Sequence, residues 1–317
     1  MKTKNAFLSL SLMLAFSGAF AQESSTATST TTTPQAAVVP AKPKWKASIA
    51  SYYYNFEGTK AAKENLYTFG DSILLMQLMT LQYEVSPNLT VMVLGQHLDN
   101  YVETKMFGQT YRDRTIGMGD TLVSAISPLY LSSSLLVFGD AGVSIPTGSI
   151  NFRNESNPAA HYAYNMQAGS GTYDAVVGIM PMYIQPAYQL GTRLSATVRT
   201  GRNANEYRLG NLYRADAWAD FPMSFGLTPR LVGYYKHKDS IDGYDKSFDF
   251  KGNPYFDFYH HAQINWDVSA ALKYAHAIGP VALSAEVGIP VAQDSANIDN
   301  VVVSIDYYGN LTVGGTF

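Results

Sequence analysis

The sequence predicts an all-β protein: a transmembrane antiparallel β-barrel of about 12 strands, closed by a last strand that ends on a C-terminal Phe. Three observations predict it. The chain begins with an export signal. From Trp45 onward apolar residues recur with period two rather than 3.6. The final residue, Phe317, is an aromatic on an alternating segment that also carries Tyr307, Leu311 and Val313.

Composition narrows the field. The chain has 317 residues, a formal net charge of -3 and no Cys. Without Cys there is no disulfide framework, thiol nucleophile or Cys-ligated metal site. The near-neutral charge argues against a nucleic-acid partner, which requires a basic face. Charged residues make up 15% of the chain, below the roughly 25% of soluble domains. Beyond the N-terminus there is no apolar run of about 20 residues, so helical membrane spans are excluded. A β-rich soluble domain and a transmembrane barrel remain.

The elements follow in order. Lys2 and Lys4 precede the apolar stretch from Ala6 to Phe16, and Ala19-Phe20-Ala21 offers a cleavage site before Gln22. Residues 1–21 are therefore read as a signal peptide, and no Cys follows that would make it a lipoprotein signal. Residues 22–44 are rich in Ser, Thr, Ala and Pro and cannot bury enough apolar surface to offset their ordering entropy, so a disordered tail is expected. Residues 45–317 form the barrel. Strands are expected at 45–56, 72–84, 88–101, 115–128, 131–146, 171–185, 187–200, 211–222, 225–237, 265–278, 281–291 and 301–317. Short links fall at Ser86-Pro87-Asn88, Leu129-Tyr130, Pro186, Met223-Ser224 and Gly279-Pro280. Longer ones fall at 57–71, 102–114, 147–170, 201–210, 238–264 and 292–300. Short turns on one side and long loops on the other are the asymmetry of an outer-membrane barrel, with both termini on the periplasmic side.

A face count separates this barrel from a sandwich. In the last six strands one parity comprises 38 positions, none of them Asp, Glu, Lys or Arg. At the chain's average, roughly 6 would be charged. The opposite parity carries 11 charges: Arg193, Arg199, Arg214, Asp216, Asp220, Arg230, Lys236, Asp267, Lys273, Glu286 and Asp306. The apolar face is light in places, as at Ala215-Ala217-Ala219, which lipid tolerates and a packed core does not. Tyr188, Tyr213, Phe221, Phe225, Tyr235, Trp266, Tyr307 and Phe317 lie near strand ends, where interfacial girdles belong. Residues 73–81 are apolar on both faces, so their register stays open.

Three ordered motifs carry a resemblance. Gly117-Met118-Gly119-Asp120, Gly142-Val143-Ser144-Ile145-Pro146-Thr147-Gly148 and Gly169-Ser170-Gly171-Thr172-Tyr173-Asp174 are spaced along the chain in that order. Together they resemble the outer-membrane family labelled MetA-pathway of phenol degradation. The resemblance implies an outer-membrane barrel and transport of small solutes, aromatic ones among them. By their chemistry, Pro146-Thr147-Gly148 ends a strand and turns into a long loop, Gly169 and Gly171 permit the return turn, and Asp120, Asp140 and Asp174 are placed on the lumen side.

The candidate functional residues are lumenal. Arg193 and Arg199 share one strand, Arg214, Asp216 and Asp220 the next, and Arg230 and Lys236 the one after. Strands ~4.8 Å apart let these side chains meet, either as a charge-selective constriction or as an ion-pair plug. Twelve strands tilted near 40° give a backbone radius of ~12 Å, which leaves a narrow bore. G-x-S-x-G, H-E-x-x-H and P-loop signatures are absent. The pair His260-His261 on an extended loop points its side chains apart, so no metal is expected there. The expected function is a channel in the outer membrane of a Gram-negative bacterium, without catalytic centre or cofactor. It would pass small solutes by diffusion, with lipid and the outer-membrane assembly machinery, which reads Phe317, as further partners. A structural or adhesive barrel binding a partner through loops 147–170 and 238–264, and an outer-membrane hydrolase, are the competing readings.

Overall fold

The computed structural model describes residues 45–58, 67–106, 109–154, 157–247, 262–296 and 303–317. The expected signal peptide, the Ser/Thr-rich tail and the pair His260-His261 lie outside the described residues.

Twelve antiparallel strands close into one barrel. They are β1 (Trp45–Gly58), β2 (Tyr67–Ser86), β3 (Leu89–Met106), β4 in two halves (Gln109–Met118 and Thr121–Leu131), β5 (Leu135–Ile145), β6 (Asp174–Ile184), β7 (Gln189–Arg199), β8 (Leu212–Asp220), β9 (Leu227–Lys238), β10 (Gln263–Ile278), β11 (Val281–Ala296) and β12 (Val303–Thr316). Each strand pairs with the next, and β1 also pairs with β12, which closes the ring. The seam includes both termini: Phe317 N donates to Trp45 O at 2.8 Å and Trp45 N to Phe317 O at 3.2 Å. Closure of the ring satisfies the condition for spanning lipid with strands; the outer half of β4, Gln109–Met118, pairs with β3 alone.

Lipid contact explains the outer face. Ile49, Leu75, Met79, Val93, Val177, Leu194, Leu231, Leu272, Val287 and Leu311 all stand exposed. In water such a band would be a liability; in a membrane it is the buried surface. Aromatics rim it. Tyr213, Tyr235, Trp266 and Tyr307 lie toward the long loops, while Trp45, Tyr183, Phe221 and Phe317 lie toward the short turns.

Bulges change which parity faces in, and two of them bear on the sequence reading. Gly119 and Asp120 interrupt β4: β3 pairs Leu98 with Gly117 and then Leu94 with Leu122. Thr115 is buried before this break, and Leu122, Ser124 and Ile126 after it, so the inward parity switches from odd to even. At Asp306 the β1–β12 register passes from Tyr307 directly to Ile305. Ile305 therefore turns inward and Asp306 outward, which corrects the lumenal placement of Asp306. One inserted residue moves every following side chain to the other face.

The structure corrects three boundaries. Segment 102–114 is not a long loop, because β3 runs to Met106 and β4 starts at Gln109. These outer strand ends carry charges bridged across the pair, Arg114 to Asp99 at 2.6 Å and Arg112 to Glu103 at 3.2 Å. Leu129-Tyr130 belongs to β4; the turn is made by 132–134, where Ser132 Oγ accepts from Leu135 N at 2.9 Å. Phe225 is not in a strand but in the Ser224–Gly226 turn, with φ 64° and 90% exposure.

Candidate functional site in the lumen

The link from β5 to β6 folds into the barrel, and the three sequence motifs hold it there. Strand β5 ends at Ile145, where Pro146 has no N–H for the ladder. Thr147 Oγ1 donates to Gly119 O at 2.9 Å. Asp120 then takes both ends of the loop. Its Oδ1 accepts from Gly148 N at 3.0 Å, and its Oδ2 accepts from Ser170 N at 2.8 Å and Ser170 Oγ at 2.7 Å. The two backbone arms meet closely, with Ala168 N and Gly169 N each 3.0 Å from Ser149 O. A Cβ on Gly148 would lie 2.7 Å from Gly169 Cα, so only Gly fits. Gly171 turns the chain back into β6 with φ 70°. The motif residues are thus a clasp at the base of one loop.

Above the clasp every residue from His161 to Ser170 is buried. Gln167 ties the loop to itself, accepting from Phe152 N at 2.9 Å and donating to Tyr162 O at 2.9 Å. Asn100, inward on β3, donates to Met166 Sδ at 3.2 Å. The neighbouring long loops join it: Tyr164 packs edge-on to Tyr207 at 4.6 Å, and Asp245 N donates to Tyr164 Oη at 3.2 Å. His161 Nδ1 lies 2.8 Å from Asp245 Oδ2. Burial raises both phenols, Tyr164 and Tyr207, above their usual pKa, so they stay neutral.

The lumen has two unlike walls. On β1 to β4 it is apolar, with Tyr52, Tyr54, Leu74, Met76, Leu94 and Leu122 buried in one cluster with loop residues Tyr162 and Met166. From β5 to β12 it is charged. Arg193 reaches Asp140 on β5 with Nη1–Oδ1 2.8 Å and Nη2–Oδ2 3.0 Å. Arg199 pairs with Asp174, which also accepts from Thr172 Oγ1 at 2.7 Å. Arg230 donates to Asp220 at 2.6 Å and to Glu286 at 3.0 Å, and Tyr308 Oη adds a bond to Glu286 at 3.2 Å. Arg214 sits over the Tyr234 ring at 5.4 Å. Asp216 is 3% exposed and neither oxygen accepts a hydrogen bond from the described residues.

The candidate residues Arg193, Arg199, Arg214, Asp216, Asp220, Arg230 and Lys236 thus all lie on this one wall, but three of the arginines are neutralised by carboxylates. Buried pairs of this kind fix geometry; removing one partner leaves a buried charge. Lys236 and Lys238, two positions apart on β9, border a cavity of about 150 Å3 beside the loop. Tyr164, Asn165 and Gln263 line it as well. Lys238 was legible from the parity of Lys236 had β9 been drawn one residue longer. Asn165 and Tyr164 carry no period that marks them as lumenal. Among the described residues no group of three His, Asp or Glu is placed to hold a metal ion.

No curated protein is a significant match to the chain. Among solved structures, the COG4313 outer membrane channel from Pseudomonas putida F1 is similar with TM-score 0.57 and 10% identity, over 90% of this chain and 100% of that one. The NanC porin is similar with TM-score 0.42 and 9% identity, over 85% of this chain and 98% of that one. A FadL homologue of Pseudomonas aeruginosa follows with TM-score 0.37 and 9% identity, over 87% and 90%. The family model described as "Putative MetA-pathway of phenol degradation" matches residues 69–293, more than half of the chain and across all three motifs. The protein is an outer-membrane β-barrel of a Gram-negative bacterium and belongs to that family.

Proposed function

We propose that the protein is a channel through which small solutes, aromatic ones included, cross the outer membrane by diffusion, with the clasped loop setting the width of the path. The observation that carries this reading is the cavity beside the loop. The loop joins the apolar cluster without filling the lumen, and the space beside it is lined from both sides, by Gln96 and Leu98 of β3 and by Arg199, Lys236, Lys238 and Gln263. A path with an apolar wall facing polar groups suits molecules that have both kinds of surface. The family description speaks of phenol degradation, which agrees with an aromatic body.

Swelling of liposomes containing the refolded barrel tests the proposal. Sugars of graded size and phenyl glycosides, which do not cross lipid unaided, should enter faster than into empty liposomes, with a sharp size limit. Entry no faster than in empty liposomes for every solute would refute a channel and leave binding through the long loops as the reading.

A further inference from the structure

Asn165 carries a buried amide that the lumenal loop holds in place but does not satisfy. It is 8% exposed, lines the cavity, and makes no hydrogen bond with Nδ2 or Oδ1 among the described residues. Both neighbours pin it. Tyr164 packs on Tyr207 and accepts from Asp245 N. Met166 N donates to Ala163 O, and Met166 Sδ accepts from Asn100. A buried amide without partners is costly, and its place on a cavity marks where a polar ligand group belongs. A second amide lines the same space from the barrel wall. Gln263 opens β10 opposite Lys238 of β9, is 7% exposed, and leaves Nε2 without a partner among the described residues. Loop and wall thus point to one cavity independently.

The two amides fix the chemistry of the ligand. Asn165 offers one donor and one acceptor side by side, and turning its amide over exchanges them without changing the set. The complement is a group that also carries an acceptor beside a donor. A carboxamide does so; a carboxylate would set its second oxygen against the Asn165 oxygen. Gln263 Nε2 adds another donor, and a carbonyl oxygen has two lone pairs to accept both. Two of the charged groups on the cavity are engaged elsewhere, Arg199 with Asp174 and Asp120 with Gly148 and Ser170. The remaining lining includes Leu98, Leu209, Leu212 and Tyr164, so the ligand also has an apolar body. A cavity of about 150 Å3 has the size that holds a single benzene ring.

We propose that this cavity is a binding site for a small uncharged carboxamide with a ring-sized apolar body. Asn165 pairs edge to edge with the ligand amide, donating through Nδ2 to its carbonyl oxygen and accepting its N–H at Oδ1. Gln263 Nε2 donates to the same carbonyl oxygen, and the body lies against Leu98, Leu209 and Leu212. The inference deepens the channel reading, on which it rests for naming a solute class, but binding is measured without flux, so each can fail alone.

Isothermal titration calorimetry on the detergent-solubilised barrel tests it, with benzamide as probe. Acetophenone keeps the carbonyl but has no N–H, and benzoate has two acceptors and a charge. Benzamide should bind saturably and about tenfold tighter than either. Asn165→Leu should remove its preference over acetophenone. Gln263→Met should weaken benzamide and acetophenone alike, because it removes a donor to the carbonyl that both share. Lys246→Gln, an exposed lysine on a long loop, should change neither. Heat-modifiable mobility identifies folded variants, and if Asn165→Leu does not fold, Gln263→Met decides, with unchanged benzamide affinity overturning the site. A folded Asn165→Leu barrel that keeps the preference overturns it too. Equal binding of benzamide and acetophenone by the unmodified protein, or absence of binding, overturns the site whatever the variants do. Benzoate binding tighter than benzamide also overturns it, in favour of an anion drawn by Lys236 and Lys238. Benzamide binding without solute flux would overturn the channel and keep the site; flux without benzamide binding would do the reverse.

Discussion

Replacing Asp120 by Ala should release the lumenal loop without unfolding the barrel. Asp120 accepts three hydrogen bonds at 2.7, 2.8 and 3.0 Å, and they bind both arms of the loop at its base. At about 1.5 kcal/mol for each bond to a charged group, their loss lowers the cost of opening by roughly 4 kcal/mol. That corresponds to roughly a thousandfold rise in the open population. The barrel ladder on either side of the bulge is untouched, since Asp120 uses only its side chain in the clasp. Hydrogen exchange followed by mass spectrometry reads this directly. Amides of Met166, Ala168 and Gly169, now bonded within the loop, should lose protection, while those of β7 should not change. Asp120→Asn, which keeps one oxygen acceptor, should fall between. Wild-type protection across 161–170 in a folded Asp120→Ala barrel would refute the clasp.

Other consequences follow from single contacts. Arg193→Ser leaves Asp140 buried beside no cation, at a cost of about 3–5 kcal/mol in urea unfolding, and adding Asp140→Ser should recover part of it. If Arg193→Ser unfolds at the wild-type midpoint, that pair does not hold the wall. Leu194→Arg, 48% exposed at the middle of β7, puts a charge into lipid and should cost about 2–4 kcal/mol in the same assay; no change would mean that this face is not lipid-facing. Phe317→Asp should lower the amount of heat-modifiable barrel in membranes, because Phe317 closes the seam with Trp45 and ends in the exposed apolar rim. Wild-type levels would show that the last residue carries no assembly role.

Most of the fold was legible because lipid imposes a simple rule on strands. Where β7 to β10 cross the membrane, alternate residues face lipid or lumen, and period two is clear from Leu190 to Val198 and from Leu227 to Tyr235. The rule stops where lipid stops. At 102–114 the outward face is itself charged, with Arg112 on Glu103 and Arg114 on Asp99, so it lacks the apolar parity of the lipid-facing strands and alternation gave no reason to draw strands there. It also stops at bulges: counting through Asp306 carried the parity one residue too far and put Ile305 on the wrong face. The lumenal charges could be listed from parity, but not their partners. Arg193 is held by Asp140, two strands away in the ring, and Arg199 by Asp174, and such pairings depend on register and strand tilt. The loop was the least legible part. Nothing periodic in Tyr162 to Gln167 shows that it folds inward, although the motifs that clasp it, Asp120 with Gly148 and Ser170, stood out as motifs without revealing that they touch.

The central claim is that the lumen is a path narrowed by one loop. Ser149 and Gly169 lie together, with Gly169 N 3.0 Å from Ser149 O, so residues 150–168 can be replaced by a short Gly-Ser link without straining the barrel. Single-channel recording in planar bilayers compares that variant with the unmodified chain. The account predicts a small conductance for the unmodified protein and a several-fold larger one for the shortened variant. Silent bilayers with both, in preparations whose barrels are folded, would contradict it.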